Sequence, residues 1–387
     1  MHRRPRVAVV TNIIPHYRAD FYRRVFANKD LDCHVFCQEE VPGSNIETVH
    51  HLFPGRVTLV RSISALNERL SIQAVPISAV RAGFDMCFVY GNPRVVSNVA
   101  LSCALRAIRF PVVIWGQAHT AGSSPASERL RLAWWRCFSY LFVYTDDEVV
   151  YLREHGFSRK LLVGMNNGLN QQELEVCAAQ FSPQRLAEWR RERDLENRMV
   201  LLSCARLIPK NRFDLVIDAL PELLKIEPSL VWCVLGDGSE RERLKRHAQR
   251  RGVSHAIRWQ GALYDEKALA PWFLSSVALV HPGAVGLTLL HAFGYGLPVV
   301  THDDRQQQMP EIAALKDGHN GLLFRSGDVR SLVENLVKLM REPQLRAALS
   351  EAARHTARKE FNTEVMANRF SEMAQAVWAR TRKDRDV

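Results

Sequence analysis

Short apolar runs rich in β-branched residues alternate with amphipathic or charged stretches of helical length along this chain. In the first half, they predict strands at Val7–Thr11, His34–Phe36, Val57–Val60, Cys87–Tyr90, Val112–Trp115, Leu141–Tyr144 and Leu161–Met165. After a polar stretch from Gln171 to Arg198 the alternation restarts and predicts strands at Val200–Cys204, Val231–Leu235, Ile257–Trp259, Val277–Val280, Val299–Thr301 and Leu322–Phe324. Such a pattern is typical of parallel strands that are buried on both faces and joined by helices.

The restart of the pattern predicts an α/β chain with two Rossmann-like, parallel-sheet domains that face each other across a cleft. We place the first domain at residues 1–175 and the second at 176–362. A final helix within 363–387 carries an apolar stripe and is expected to cross back to the first domain. Loops at the carboxyl ends of parallel strands bind phosphates and sugars, so the candidate chemistry is expected in those loops.

An uncharged segment from Ala268 to His302 is long enough to span a bilayer. Its prolines, Pro271, Pro282 and Pro298, and its glycines divide it into short pieces, which favours a strand, a turn, a buried helix and a second strand. The apolar run before Asn12 is shorter than that of an export signal, so a cytoplasmic location is expected.

The net charge of +11 favours anionic partners such as phosphates, nucleic acid or an acidic membrane face, without choosing among them. Two Arg-dense stretches, 185–198 and 241–251, interleave glutamates and are more typical of solvated helix faces than of nucleic-acid binding.

The eight cysteines are scattered and are expected to be reduced. Cys33 and Cys37 lie close together, but no second pair completes a zinc site, so no metal is predicted.

Three cations, Arg206, Lys210 and Arg212, follow the predicted strand Val200–Cys204 and precede an apolar helix. Guanidinium and ammonium groups at a strand end suit phosphate oxygens, although ordinary surface cations would give the same pattern. Gly236 begins a tight turn after the next strand, which by itself is a weak indication of a ligand site.

Other candidates also follow predicted strands. His119 lies just past Val112–Trp115, where an imidazole can hydrogen-bond a substrate hydroxyl or transfer a proton; a histidine bonded to loop backbone is the alternative. Gly283 and Gly286 permit close approach of backbone amides to a ligand before a buried helix. His16 and Arg18, after the first strand, face either a ligand or solvent.

Taken in order, these segments resemble the retaining GT-B glycosyltransferases of family 4, which move a sugar from a nucleotide diphosphate to an acceptor. The resemblance covers nearly the whole chain. Besides the first-strand loop, it is carried by WGQAHT at 115–120, MNNGLN at 165–170, CARLIPKN at 204–211, VLGDG at 234–238, PGAVGLTLLHAFGYGLPVV at 282–300 and HNGLLF at 319–324.

The resemblance implies roles for particular residues. The catalytic set would be His119, beside the reacting carbon of the donor sugar, with Arg206 and Lys210 on the donor diphosphate. The remaining donor-binding residues would be Gly283, Val285, Gly286, Leu287, Thr288, His291, Arg212 and Gly236. His16 and Arg18 would lie on the acceptor side. Enzymes of this family keep the anomeric configuration and need no metal, because cations stabilise the leaving diphosphate.

The chain departs from the family at two glutamates that are usually eight positions apart. Gly283 stands where the glutamate near the sugar is expected, and His291 stands where the ribose-binding glutamate is expected. An imidazole at 291 can hydrogen-bond a ribose in either tautomer. The usual lysine place is taken by Asn211, with Lys210 and Arg212 on either side, and Lys210 is the favoured replacement.

The function expected from this resemblance is glycosyl transfer from a nucleotide sugar, with no cofactor, to a glycan or lipid-linked acceptor in bacterial surface polysaccharide or glycolipid synthesis. A catalytically silent relative that binds nucleotide or glycan, or that acts as a partner subunit, is the alternative, and another enzyme on the same fold stays possible. A nucleic-acid partner is not expected.

Peripheral contact with an anionic membrane at the inner face of the cytoplasmic membrane is also expected. The candidate segment is Arg129–Arg136, in which basic residues and tryptophans lie on one predicted helix. The competing interpretation is a helix packed on the sheet, with its arginines outside and its tryptophans inside.

Overall fold

A computed structural model describes residues 3–40, 48–65 and 70–383, so the last four residues of the predicted segment 363–387 lie outside the described part. Its strands are β1 Arg6–Val10, β2 Asp32–Cys37, β3 Val57–Leu59, β4 Ser62–Ala65, β5 Leu70–Gln73, β6 Met86–Tyr90, β7 Val112–Gly116, β8 Tyr140–Val143, β9 Leu161–Gly164, β10 Met199–Cys204, β11 Leu230–Leu235, β12 Ile257–Gly261, β13 Ala278–His281, β14 Val299–His302 and β15 Gly321–Phe324.

The α-helices of the described residues lie between these strands and after the last one. They are α1 Ala19–Ala27, α2 Ile77–Gly83, α3 Val96–Ala107, α4 Pro125–Arg136, α5 Asp146–Leu152, α6 Gln171–Ala178, α7 Pro183–Arg191, α8 Asp214–Ile226, α9 Arg241–Arg250, α10 Glu266–Leu274, α11 Thr288–Gly294, α12 Val329–Arg341, α13 Pro343–Lys359 and α14 Thr363–Lys383.

The chain divides into two compact units. The first unit contains Met1–His119, Ser123–Asn170 and Thr363–Val387, and the second contains Thr120–Gly122 and Gln171–Asn362. The division thus falls after residue 170 rather than after the expected residue 175. Helix α14 belongs to the first unit, where Phe370 packs edge-on against Phe21 and lies 4.5 Å from the ring centroid of Phe88.

The first unit is built on a parallel sheet with the strand order β3-β2-β1-β6-β7-β8-β9. Residues Val7 to Val10 are fully buried because α1 and α14 cover one face of the sheet and α3, α4 and α5 cover the other. The seven strands predicted from apolar runs in this half are these seven, so that prediction is confirmed. The antiparallel pair β4–β5 was not predicted.

The second unit is a parallel sheet with the strand order β12-β11-β10-β13-β14-β15. Helices α8, α9 and α12 pack their apolar residues against one face of it. The six predicted strands of this half are confirmed. In both units the chain leaves each parallel strand at the same edge of the sheet, and the loops there carry most of the candidate residues.

The uncharged segment at 268–302 forms parts of four elements, α10, β13, α11 and β14. The expected strand, buried helix and second strand are β13, α11 and β14, and most of α10 precedes them in the segment. Pro271 does not end α10 but lies inside it, and its carbonyl accepts a hydrogen bond from the Ser275 amide. Among the residues that the structure describes, no helix combines the length and the apolar character needed to cross a bilayer.

Helix α4 contradicts the expectation that its tryptophans touch lipid. Trp134 and Trp135 are 8% and 0% exposed. Their indole N–H groups donate to the Ser102 hydroxyl at 3.2 Å and to the Gly91 carbonyl at 3.2 Å. The helix therefore packs on the sheet with its tryptophans inside, although Arg131 is also buried rather than outside.

Candidate functional site

The loop after β10 presents two cations that have no acidic partner. Arg206 and Lys210 are both exposed, and neither forms an ion pair with any residue that the structure describes. A short 3₁₀ turn, Pro209–Asn211, leads from this loop to α8. Unpaired guanidinium and ammonium groups at a strand end can bind a diphosphate, since no internal carboxylate competes for them.

The loop at residues 205–212, which we call the cationic loop, is held by hydrogen bonds within itself and to the loop that follows β11. The buried Asn211 side chain donates to the Arg206 carbonyl at 2.7 Å, and the Leu207 amide donates to the Asp237 carbonyl at 2.9 Å. Gly236 and Gly238 have φ values of +154° and +155°, and a Cβ on either would collide with a backbone carbonyl of the cationic loop. Gly236 thus has a packing role, whereas its contact with a donor stays a prediction.

Arg212 differs from the other two cations because it already has a partner. Its backbone is left-handed, with φ of +51°, and its guanidinium bonds the Asp214 carboxylate at the start of α8, with Nη2 and Oδ2 3.2 Å apart. An anion at this loop would meet Arg206 and Lys210 without breaking an existing ion pair, whereas Arg212 would have to leave Asp214.

Gly283, at the place of the family's first glutamate, lies directly against the cationic loop. A Cβ there would collide with the Lys210 carbonyl and come within 2.6 Å of the Asn211 Cα. A side chain at 283 is therefore incompatible with the observed position of the loop backbone. The close approach of this loop therefore requires glycine at 283, where the family's first glutamate is expected.

The segment from Val285 to Thr288 is already bonded to its surroundings at two points. The Val285 amide donates to the Gln308 side-chain oxygen at 2.8 Å, and Gln308 in turn donates to the Thr301 hydroxyl at 2.9 Å. The Thr288 hydroxyl donates to the Cys204 carbonyl at 2.7 Å. Of the amides expected to meet a donor, that of Val285 is thus occupied, whereas Gly286 has no hydrogen bond from its amide to a described residue.

Two buried histidines lie at the carboxyl ends of β13 and β14. His281 is 2% exposed, and burial lowers its pKa to about 3. His302 is 4% exposed, and its pKa is also lowered by burial. Both rings are therefore neutral near pH 7, so the positive charge in this part of the second unit belongs to the cationic loop.

His291 is held by an acidic residue of a neighbouring helix. Its Nε2 lies 2.8 Å from Glu266 Oε1, and the Tyr295 hydroxyl donates to the same carboxylate. Burial of Glu266 raises its pKa, but the hydrogen bond and electrostatic attraction of His291, together with the Tyr295 hydrogen bond, outweigh that effect and the pKa is lowered overall. In the neutral His291 ring the proton is therefore on Nε2, because the Glu266 carboxylate can only accept a hydrogen bond. Of the two tautomers that the sequence left open, this one leaves Nδ1 to accept a hydrogen bond from a ribose hydroxyl.

His119 lies in a loop that is fixed from both sides in the first unit. The buried Glu148 carboxylate accepts the amides of Ala118 at 2.8 Å and His119 at 3.1 Å. The buried Arg131 guanidinium donates to the carbonyls of Gln117 and Ala118, at 3.3 and 3.1 Å. A carboxylate thus accepts from the loop amides and a guanidinium donates to the loop carbonyls. These charged hydrogen bonds fix the backbone that carries the imidazole.

The His119 imidazole is partly exposed and close to a second carboxylate. Its Nδ1 lies 3.7 Å from Glu128 Oε1, which also accepts the Tyr151 hydroxyl at 2.7 Å. Burial and this hydrogen bond raise the pKa of Tyr151 to about 12, so the tyrosine stays a proton donor to Glu128. The geometry leaves an accessible imidazole on a rigid loop, as a hydrogen-bonding or proton-transfer group requires.

The two acceptor-side candidates have different surroundings. His16 is exposed and meets the Tyr17 ring edge-on at 5.5 Å. Arg18 is 8% exposed, and its guanidinium lies 3.4 Å from the Met366 sulfur of α14 and 5.9 Å from the Tyr144 ring. Arg18 thus does not face solvent, because Met366 of α14 covers it, and its contact with an acceptor stays a prediction.

No metal-binding cluster is present in the described part of the chain, where no three His, Cys, Asp or Glu side chains are arranged to hold an ion. Cys33 and Cys37 are buried free thiols, and burial raises the pKa of Cys37 to about 11.

The structure brings Arg206, Lys210, Gly236 and Gly283 into one group of adjoining loops. Sequence reasoning missed Glu148, Gln308 and Glu266. Glu148 was detectable, because Thr145 and Glu148 have the spacing of a capping box and the Glu148 amide does donate to the Thr145 hydroxyl. Gln308 and Glu266 have partners far away in the sequence, which no local pattern shows.

Most of the second unit also matches a known protein family. Residues 187–356 match the family model "Glycosyl transferases group 1". A GDP-mannose-dependent alpha-(1-6)-phosphatidylinositol monomannoside mannosyltransferase of Mycolicibacterium smegmatis is 28% identical over 49% of this chain and 51% of its own length. The lipopolysaccharide core biosynthesis glycosyltransferase LpsE of Rhizobium meliloti is 26% identical over 45% and 49%. The chain thus spans about half the length of these relatives.

Among solved structures, the crystal structure of HepE from Anabaena in complex with UDP has a TM-score of 0.71. It covers 97% of this chain and 100% of its own, at 15% identity. At that identity the likeness establishes the fold. The chain has two parallel-sheet α/β units of the GT-B type, and the predicted fold class is confirmed.

Proposed function

We propose that this protein is a nucleotide-sugar-dependent glycosyltransferase that moves a sugar to a glycan or lipid-linked acceptor with retention of the anomeric configuration. The observation that carries the proposal is the pair of unpaired cations, Arg206 and Lys210, on a loop braced by the Gly236 turn. This loop lies inside the segment that matches the glycosyltransferase family. The names of the relatives favour a role in surface polysaccharide or glycolipid synthesis.

In the proposed reaction the bond between the anomeric carbon and the diphosphate oxygen breaks, and a bond from an acceptor hydroxyl oxygen to the same face of that carbon forms. The hydroxyl proton passes to the leaving diphosphate. Arg206 and Lys210 lower the barrier because negative charge grows on the leaving phosphate oxygens as the bond breaks. These cations would replace a metal ion. Contact of His119 with the donor sugar stays a prediction.

A thermal-shift panel with uridine, guanosine, adenosine and thymidine diphosphates tests the binding step. A nucleotide at about 100 times its dissociation constant stabilises the protein by roughly 2.7 kcal/mol, which raises the unfolding temperature by several degrees. We expect one nucleotide to do so for the wild type and not for Arg206→Ala. Arg330→Ala is the matched control, since Arg330 is an exposed arginine of the same unit that pairs with Glu334. Equal shifts in wild type and Arg206→Ala would contradict the assignment of the loop.

Sugars on the selected nucleotide then test turnover. The protein is incubated with each nucleotide sugar and with a lipid or glycan acceptor fraction, and released nucleoside diphosphate is measured. Nuclear magnetic resonance of the product gives the anomeric configuration, and an inverted product would overturn retention.

A catalytically silent relative is the second candidate, and Gly283 and His291 favour it. The first position has no room for a carboxylate, and the second is committed to Glu266 through Nε2. This candidate predicts a nucleotide-dependent thermal shift that depends on Arg206 but no release of diphosphate from any nucleotide sugar. The two experiments together therefore separate the candidates.

A further inference from the structure

Helices α7 and α10 of the second unit line a cavity that the proposed reaction does not use. Its volume is about 550 Å³, which lies within the range of roughly 300–1,000 Å³ typical of small-molecule sites. Lys267 of α10 lines this cavity, whereas the preceding residue, Glu266, bonds His291 of α11. Because successive helix residues point about 100° apart, the cavity lies on a different side of α10 from His291.

One wall of the cavity is aromatic, and its rings are held in place. The Trp189 and Trp272 rings meet edge to face, with their centroids 4.8 Å apart and their planes at 90°. The Arg193 guanidinium lies 4.4 Å from the centroid of the Trp189 ring. Trp272 is 5% exposed, whereas Trp189 is partly exposed on the polar helix α7. A tryptophan held in this way offers apolar area to a ligand at little cost in side-chain entropy.

The polar part of the lining carries groups that no described residue bonds through its side chain. They are the Glu188 carboxylate, the Gln260 amide and the Lys267 ammonium group, and all three residues are exposed. A carboxylate only accepts hydrogen bonds, an ammonium group only donates them, and an amide does both. The cavity therefore presents hydrogen-bond donors and acceptors next to an aromatic wall.

An irregularity in β12 presents Gln260 to the cavity. Val234 of β11 pairs with Trp259, but the next residue, Leu235, pairs with Gly261, so Gln260 is an extra residue in the strand. A bulge of this kind re-aims a side chain, and bulges are enriched beside functional sites. The bulge is independent of the aromatic wall, and it favours a binding role for Gln260.

This combination of side chains favours an oligosaccharide as the ligand. Sugar rings carry C–H groups on their faces and hydroxyls at their edges, and each hydroxyl both donates and accepts hydrogen bonds. The faces suit aromatic side chains, and the hydroxyls suit the mixed donors and acceptors of the polar lining. An anion fits less well, because Glu188 and Glu192 would repel it, and a cation fits less well, because Arg185, Arg193 and Lys267 line the same cavity.

We propose that the cavity between α7 and α10 is a non-catalytic binding site for an uncharged oligosaccharide. Trp189 contacts a sugar face, and Glu188, Gln260 and Lys267 bind sugar hydroxyls. The choice of ligand class rests partly on the proposed function, since a protein that transfers sugars to a glycan meets oligosaccharides as acceptors or products. A glycan held here raises the local concentration of acceptor ends around the protein.

The test begins with binding of the full chain, without nucleotide, to an array of immobilised uncharged oligosaccharides. Titration calorimetry with the oligosaccharide that binds best then gives its dissociation constant. We expect Trp189→Ala to raise this constant by at least about tenfold, because the apolar contact of one aromatic side chain is lost. Glu188→Ala with Gln260→Ala is expected to raise it by about tenfold through lost hydrogen bonds. This double variant changes only exposed residues, so it tests the site even if Trp189→Ala fails to fold.

The matched controls are Tyr264→Ala and Glu334→Ala. Tyr264 is an 81% exposed aromatic residue of the same unit, and Glu334 is an exposed glutamate of α12 that does not line the cavity. Both controls should bind the oligosaccharide like the wild type, and circular dichroism verifies that each variant is folded. The proposal is overturned if no oligosaccharide on the array binds, if the cavity variants bind like the wild type, or if a control loses binding. It is also overturned if Trp189→Ala changes only self-association in analytical ultracentrifugation.

The nucleotide-dependent thermal shift is measured on the same variants to keep the two proposals apart. We expect the shift to be unchanged in the cavity variants, because the cavity lies on a different side of α10 from His291. Loss of oligosaccharide binding with a normal nucleotide shift in the wild type would overturn only the cavity site. Oligosaccharide binding without any nucleotide shift or turnover would instead overturn only the proposed transfer reaction.

Discussion

At the scale of single residues, Gly283 shows how one position can link two loops. Its missing side chain lets the backbone at Lys210 and Asn211 pass where a Cβ would otherwise stand. The cationic loop can occupy its observed place only because that position is glycine. The residue type at 283 is therefore a condition for the placement of the candidate diphosphate site, even if no atom of Gly283 touches a ligand.

This arrangement predicts that Gly283→Ala destabilises the protein by about 1–3 kcal/mol, since the loop backbone must shift to relieve the overlap. The measurement is the unfolding midpoint in urea. Gly286→Ala is the control in the same segment, because a Cβ there would meet its nearest neighbour, Met309, at an ordinary 3.8 Å. Equal stabilities of the two variants would show that the loop yields without cost.

At the scale of elements, the loop after β7 is fixed by the two helices that follow it. Arg131 from α4 binds its carbonyls, and Glu148 from α5 binds its amides and also the Tyr144 amide at 2.8 Å. Neither residue touches the His119 imidazole through these bonds. They act as positioning residues, because they determine where the loop backbone lies.

We expect Glu148→Gln to lower the free energy of unfolding by about 1–3 kcal/mol, because a neutral amide accepts these backbone N–H groups less well than a buried carboxylate. Hydrogen exchange at the Ala118 and His119 amides is expected to become faster. Glu154→Gln, at an exposed residue just after α5, is the control and should leave exchange at these amides unchanged. Unchanged exchange in Glu148→Gln would exclude the positioning role.

At the scale of the whole molecule, some cations pair with nearby carboxylates and others have no described acidic partner. The Arg-dense helix α9 pairs internally, as in Arg243 with Glu240 and Lys245 with Glu242 at 2.9 Å, as expected of a solvated helix face. The loop after β10 instead holds Arg206 and Lys210, which no described carboxylate neutralises. The net charge of +11 therefore matters most where these cations are unpaired.

Buried neutral histidines also give the whole molecule a pH dependence. For His281 the pKa falls from 6.5 to about 3 on burial. Between those values the unfolded chain binds a proton that the folded protein does not bind, so stability is complete above pH 6.5 and falls as the pH drops. The decrease is at most about 1.4 kcal/mol per pH unit for this one group.

Replacement of His281 by phenylalanine is expected to flatten the dependence of the unfolding free energy on pH between 6.5 and 4. His319→Phe is the control, since His319 is exposed, and it should keep the wild-type slope. Urea unfolding at a series of pH values measures both slopes. Parallel curves for the wild type and His281→Phe would show that His281 does not contribute.

Much of the fold and part of the candidate site follow from the sequence. Apolar runs predicted the strands of both sheets because a strand buried on two faces must be apolar at nearly every position. The loops with Arg206 and His119 were found because they follow such strands. The hairpin β4–β5 was missed because its short strands alternate isoleucine with serine and glutamine, and one of its faces is open to solvent.

The sequence by itself thus determined the two sheets, the strand ends and the residue types available there, since these depend on local pattern and composition. Only the tertiary structure decided which cations are unpaired, that Arg18 and Trp135 are buried, and that His291 is bonded to Glu266. Each of these depends on elements far apart in the chain, as when α14 covers Arg18 with Met366. Pairing and burial are properties of neighbours in space, which local sequence does not specify.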